Sequence, residues 1–206
     1  ASPALLDSYA AERKPHVRST VATAKALGVV IGELDAEAAL RRDATLRAQL
    51  VSGEMETIRQ RLIPNLEHGV IDSDVAARGA GTLFVQPRVR RVSVTGDTAP
   101  GEPLMLDDVL PFRFLIVTAS AQALTWLAAE SLAAWRRLHG ESVLICPCGA
   151  SPNAPPDGVR HFEEAGTLFA DWMAQMPCAA AVIRPDRYVF GTAANADELN
   201  RLVMAV

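Results

Sequence analysis

Apolar positions in the first thirty residues recur at helical spacing. Leu5, Leu6, Tyr9, Val17, Val21, Ala24, Leu27 and Ile31 fall on one side of a helix, so the pattern predicts a helix over residues 4–33. Pro15 has no amide hydrogen to give to that helix. It predicts either a kink or a break near Arg13, with a new helix carrying Pro15 in its first turn. Gly32 supplies a stop. Asp35 can cap a second helix that runs through Leu40, Leu46 and Leu50 to Gly53. A third, shorter helix is expected over 54–62, ending before Pro64. From Asn65 to Gly81 the pattern dissolves into Gly, Asp and Asn with short apolar pieces. That stretch reads as a loop and as the boundary between two parts, 1–77 and 78–206.

The periodicity then changes character. Residues 83–85 and 89–94 read as short strands, 95–103 as turn-rich, and 104–110 as a turn that Asp107 or Asp108 can cap. Residues 112–118, Phe-Arg-Phe-Leu-Ile-Val-Thr, read as a buried strand. A long helix is expected over 121–139, with Leu124, Leu127, Ala128, Leu132 and Trp135 inward and Gly140 as its stop. A strand over 142–146, a Pro/Gly/Asn-rich loop over 147–158 and a helix over 162–176 follow. Residues 179–183 and 188–192 form two strands around the turn Arg184-Pro185-Asp186-Arg187. A final helix starts at Asp197, with Leu199, Leu202 and Val203 on one face. The order β-α-β-α-β-β-α requires crossovers, hence a partly parallel sheet closed by an antiparallel hairpin.

Composition narrows the function classes. Half of the 206 residues are apolar, 21% are charged and the formal net charge is −4. Global disorder is excluded. An acidic chain lacks the electrostatic grip for nucleic acid or an anionic membrane surface, and Arg88, Arg90 and Arg91 are too short a run to supply one. No stretch approaches the roughly 20 apolar residues of a membrane span. The N-terminus has no basic region followed by a long apolar one, so it is not a signal peptide. The chain opens on Ala1 rather than Met, as a processed chain, a tagged chain or one cut out of something longer would.

Candidate chemistry is sparse. Cys146, Cys148 and Cys178 do not form a secreted disulfide framework, so reduced thiols in the cytoplasm are expected. Cys146-Pro147-Cys148 reads as a redox pair, as part of a metal site with His161 and Cys178, or as small residues closing a buried strand. The last reading is the preferred one. His16, His68, His139 and His161 are isolated, without partners at triad-like positions. Arg184, Asp186 and Arg187 are read as a turn with arginines pairing across it, in preference to an anion site. Glu12-Arg13 is either a docking pair or a solvated pair. Trp126, Trp135 and Trp172 are read as packing residues. No residue is assigned a catalytic, cofactor-binding or metal-ligating role.

The β-α-β-α-β-β-α order resembles the thioredoxin-like fold. Redox thioredoxins carry Cys-x-x-Cys at the start of the long helix, where the helix terminus lowers a thiol pKa. Here Ala119-Ser120-Ala121-Gln122 stands in that place, and Pro177 stands where thioredoxins carry their cis-proline. More specific resemblances lie elsewhere. Leu5-Leu6-Asp7-Ser8-Tyr9-Ala10-Ala11-Glu12-Arg13-Lys14-Pro15 resembles a motif of flavin-dependent aromatic hydroxylases that begins the helical tail after their FAD-binding part. Gln86-Pro87-Arg88-Val89 and Leu106-Asp107-Asp108-Val109-Leu110 resemble the entry to their C-terminal thioredoxin-like domain. Val182-Ile183-Arg184-Pro185-Asp186-Arg187-Tyr188-Val189-Phe190-Gly191 resembles that domain's signature. The likeness is to the 3-(3-hydroxyphenyl)propionate hydroxylase and phenol hydroxylase branch.

The resemblance implies a parent enzyme that uses FAD and NAD(P)H to insert one oxygen atom into a phenolic ring. The glycine-rich turn that holds the FAD pyrophosphate in such enzymes is not found, since Gly79-Ala80-Gly81 has no third glycine and opens no helix. The chain therefore reads as roughly the last third of such an enzyme. It would bind no cofactor itself, and its partners would be a missing N-terminal FAD-binding part and a second copy in a homodimer. The rival readings are a free-standing interaction module on a thioredoxin-like scaffold and a thiol oxidoreductase using Cys146 and Cys148.

Overall fold

The structure is a computed structural model. It describes residues 3–53, 64–72, 79–92, 101–150 and 157–206. Contacts divide the chain into two compact units, Ala1–Gly69 and Val70–Val206.

The first unit is helical. Helix α1 spans Pro3–Ile31 and runs through Pro15 without a break. The Gly32 amide donates to the Gly28 carbonyl at 2.8 Å and closes its last turn. Helix α2 spans Ala36–Ser52. The Asp35 carboxylate accepts from the Ala38 amide at 2.7 Å, so the expected cap forms, and the helix ends at Gly53. The helix expected over 54–62 lies outside the described residues. No residue of α2 is buried, and Ile31, Leu34 and Val51 are 80%, 96% and 90% exposed.

The second unit is built on a seven-stranded sheet. Its strands are β1 (Arg88–Arg91), β2 (Leu104–Met105), β3 (Leu115–Thr118), β4 (Glu141–Cys146), β5 (Val159–Glu164), β6 (Ala180–Ile183) and β7 (Val189–Ala193). The spatial order is β2-β1-β5-β4-β3-β6-β7. Strands β3, β4 and β5 are mutually parallel, while β6 lies antiparallel to β3 and β7 antiparallel to β6. The expected mixed α/β sheet with an antiparallel hairpin is thus present.

Strand alternation feeds two cores, one on each face. Leu115, Val117, Val143, Ile145, Ala181 and Ile183 join Phe169 and Trp172 of helix α5 (Leu168–Gln175). Ile116, Ala180 and Val182 join Trp135 of helix α4 (Ala129–Arg137) and Leu199, Leu202 and Val203 of helix α6 (Ala196–Ala205). Trp135 and Trp172 are buried and Trp126 is half-buried, all as packing residues.

Several expectations fail for identifiable reasons. The helix expected over 162–176 opens as strand, because 159–164 fills the slot between β4 and β1. Helix α5 begins only at Leu168, where the Glu164 carboxylate accepts from the Phe169 and Ala170 amides at 2.6 and 3.2 Å.

The helix expected over 121–139 is broken. A short 3-10 turn covers Ala123–Thr125, and α4 starts at Ala129. Asn200 of α6 causes the break. Its Oδ1 accepts from the Ala128 amide at 2.8 Å, and its Nδ2 donates to the Trp126 carbonyl at 2.8 Å. In a continuous helix that amide would bond four residues back. Ala128, expected inward, is exposed.

Phe112 is 84% exposed, so the strand expected from 112 begins at Leu115. Residues 83–85 form no strand; Leu83 makes a single bridge to Tyr188. Asp107 and Asp108 do not cap the turn they sit in, α3 (Leu106–Val109), whose N-cap is Met105. Gly140 follows α4 for a reason other than its stop. His139 takes the positive φ of 55°, while a Cβ on Gly140 would fall 2.2 Å from the Trp135 ring.

Candidate functional site

The second unit places two groups of side chains where the sequence offered candidates. The first is at the end of β4. The register sets Leu144 opposite His161 and Cys146 opposite Glu163, so Cys146 and His161 are diagonal neighbours. Cys146 Sγ lies 3.3 Å from His161 Nε2, and both side chains are buried. His161 is therefore not isolated.

Burial and the Glu163 carboxylate push the Cys146 thiol above its usual pKa, and burial lowers that of His161. Both shifts favour a neutral thiol beside a neutral imidazole. A reactive cysteine needs the opposite environment, an electropositive one that yields thiolate. His161 Nδ1 is buried and makes no hydrogen bond. Glu163 accepts from the Gly149 amide at 2.8 Å and holds the turn that carries the exposed Cys148. Cys178 sits elsewhere, its thiol 3.9 Å from the Met173 sulfur. Cys146, Cys148, His161 and Cys178 do not converge, and among the described residues no three His, Cys, Asp or Glu side chains form a metal-holding group.

The second group is the turn after β6. Arg184 makes a bidentate pair with Asp186, at 3.0 and 2.9 Å, and donates to the Val70 carbonyl at 2.8 Å. Arg187 has a φ of 69° and turns away from its neighbours. Its Nε lies 2.6 Å from Asp107, and its terminal nitrogens donate to the Leu110 and Pro111 carbonyls at 3.2 Å. Its guanidinium carbon stands 5.5 Å from the centre of the Phe112 ring. The expected pairing across the turn forms between Arg184 and Asp186, while Arg187 pairs outside the turn with Asp107. Both arginines are buried, and each grips a different distant segment.

In the first unit the motif of residues 5–15 lies on α1. Tyr9 is exposed and Arg13 half-buried, while Glu12 is 6% exposed and packs beside Gly69. Glu12 is thus not a solvated group.

The residues do not fit the FAD that the resemblance implies for a parent enzyme. A pyrophosphate needs free backbone amides at a helix N-terminus. The first turns of α2, α5 and α6 are taken by Asp35, Glu164 and Asn195. That of α4 carries the anionic Glu130. Gly81 gives its amide to the Val189 carbonyl. The N-termini of α2, α5 and α6 and the Gly81 turn therefore offer no such cradle.

Comparison with known proteins places this unit. A family described as the HcaD C-terminal domain matches residues 81–206. The chain belongs to that family. The HcaD C-terminal domain here holds the sheet, both cores and both side-chain groups.

A probable NADH-specific resorcinol 4-hydroxylase of Rhodococcus jostii is 30% identical over 95% of this chain and 33% of its own length. A 3-(3-hydroxy-phenyl)propionate/3-hydroxycinnamic acid hydroxylase of Mycolicibacterium smegmatis is 28% identical over 100% and 37%. The chain thus spans about a third of the curated relatives it matches. The flavin-dependent monooxygenase PieE, solved with FAD and substrate, shares the fold at a TM-score of 0.60 and 16% identity, over all of this chain and 39% of that one. Aklavinone-11 hydroxylase, solved with FAD and aklavinone, does so at 0.53 and 18%, over all of this chain and 35% of that one. No helix among the described residues is long and apolar enough to cross a membrane.

Proposed function

We propose that this chain is the C-terminal part of an FAD- and NAD(P)H-dependent monooxygenase that hydroxylates a phenolic ring. In this reading the segment supplies structure and dimer contacts, and the chemistry belongs to a preceding FAD-binding part. The observation that carries it is the family match over 81–206, joined to hydroxylase relatives of which the chain spans about a third. A quiet thiol–imidazole pair and helix termini closed by side chains agree with a non-catalytic role. The name of the Rhodococcus relative favours NADH as reductant.

Within this proposal residues 1–77 are the helical tail of the preceding part and residues 78–206 a thioredoxin-like domain. The parallel β3-α4-β4 crossover, with the β6-β7 hairpin antiparallel beside β3, supports that assignment. Reduced free thiols agree with the cytoplasm. The apolar residues left exposed on the first unit, Leu6, Val17, Ile31, Leu34 and Val51 among them, support burial against the preceding part and a second copy.

The chain purified alone is expected to be colourless and unable to oxidise NAD(P)H in the presence of phenols. A yellow, active preparation would overturn the proposal. Light scattering is expected to report a dimer, and a monodisperse monomer would remove the dimer contact.

A further inference from the structure

We infer that the stretch 182–191, together with Arg201, is a clamp that fastens residues 70–72 to the sheet, at the point where the chain enters the second unit. Two residues of this stretch, Val70 and Asp72, are held by three separate contacts. Arg184 donates to the Val70 carbonyl at 2.8 Å. The Asp72 amide donates to the Phe190 carbonyl at 2.8 Å. The Asp72 carboxylate, only 4% exposed, makes a bidentate pair with Arg201 at 2.9 and 2.8 Å.

The backbone of β7 is shaped for this. Its register against β6 slips between Val182–Gly191 and Ile183–Val189, which leaves Phe190 as the extra residue of a bulge. A bulge redirects the backbone groups beside it. Here two successive carbonyls, Val189 and Phe190, accept from outside the hairpin, one from Gly81 and the other from Asp72. Gly191 keeps the approach open. A Cβ there would stand 3.0 Å from the Asp72 Cβ and 2.6 Å from a Leu202 methyl.

Arg184 and Gly191, the polar and the small residue of the signature-like stretch, thus hold one strap. Arg187 holds a second segment at 107–111. The stretch attaches chain to sheet. This inference does not depend on the hydroxylase reading.

Hydrogen exchange on the full chain tests it through Arg201→Gln and Gly191→Ala. Arg201 is partly exposed, so its replacement leaves the core intact. The Asp72 amide is expected to exchange roughly tenfold faster or more in each variant, as loss of a charge-assisted grip predicts. Amides of β3 and β4 should keep their rates. Arg201→Lys keeps the charge and loses the fork, so it should recover only part of the protection. An unchanged Asp72 amide in both variants would overturn the clamp. An equal acceleration at Val117 and Val143 would also overturn it, since it would show general stability alone.

Discussion

Asn200→Ala removes the side chain that interrupts the helix expected over 121–139. Three hydrogen bonds go with it, to the Ala128 amide and to the Trp126 and Ala196 carbonyls, at 2.8, 2.8 and 2.7 Å. A neutral hydrogen bond contributes about 0.5–1.5 kcal/mol net. Ala128 is exposed and Trp126 half-buried, so water replaces part of what is lost there. Alanine also suits the interior of α6 better than asparagine, which returns about 0.5 kcal/mol. The balance is a loss of about 1–2 kcal/mol. For a unit of this size that lowers the melting temperature by roughly 3–8 °C.

The same site separates hydrogen bonding from shape. Asn200→Asp has the same outline and still accepts from Ala128, yet it turns a carboxylate oxygen toward two carbonyls that had a donor. It should be at least as destabilised as the alanine variant above about pH 6, where the carboxylate is charged. Chemical denaturation followed by tryptophan fluorescence measures both, since Trp126 and Trp135 lie at the break and just beyond it. Asn200→Ala within about 0.3 kcal/mol of the native chain, or Asn200→Asp more stable than Asn200→Ala, would refute the account of the break.

Four further outcomes are expected. Gly140→Ala drives a methyl group to within 2.2–2.6 Å of three atoms of the buried Trp135 ring, and should reduce stability by about 1–3 kcal/mol in urea melts. His161 has a folded pKa below its ordinary 6.5, so the unfolded chain binds more protons as the pH falls through that value. Stability should therefore decline below about pH 6.5, and His161→Gln should flatten that limb of the pH–stability curve. The raised Cys146 pKa acts in the opposite direction, with stability falling as the pH rises past the ordinary thiol value, a limb that Cys146→Ser should remove. An aromatic disulfide reagent should titrate the exposed Cys148 promptly at neutral pH and reach Cys146 only as the protein unfolds; equal rates would show that burial does not protect Cys146.

Elements whose causes are local could be read from the chain. Asp35 and Gly53 bracket α2 because capping and termination involve near neighbours. The β6-β7 hairpin was legible because apolar runs flank a Pro-Asp turn. Strand β5 was hidden by its own polar residues. Arg160 reaches the Glu141 carboxylate, Glu163 holds the Gly149 amide, and Glu164 turns inward to cap α5. Each of these residues has tertiary work, and in the one-dimensional pattern residues 162–164 read as the start of a helix. The break before α4 was hidden for a stronger reason, since Asn200 lies 72 positions away from the amide it captures.

The same distinction applies to the candidate groups. Spacing brought Cys146 and Cys148 to notice, yet the neighbour that matters to Cys146 is His161, and only the pairing of β4 with β5 brings them together. The arginine turn stood out in the sequence, but nothing local shows where a guanidinium goes. Arg184 reaches a carbonyl 114 positions away, and Arg201 a carboxylate 129 positions away. A long, planar donor suits that task, because it can leave its own turn and still bond in a fixed geometry. Anchoring a distant backbone and binding a small anion demand the same side chain, so the composition of such a turn does not separate them. The buried guanidinium groups do, because their donors already point at Val70, Asp186, Leu110 and Pro111. An anion would have to displace bonds that hold two segments of the unit in place.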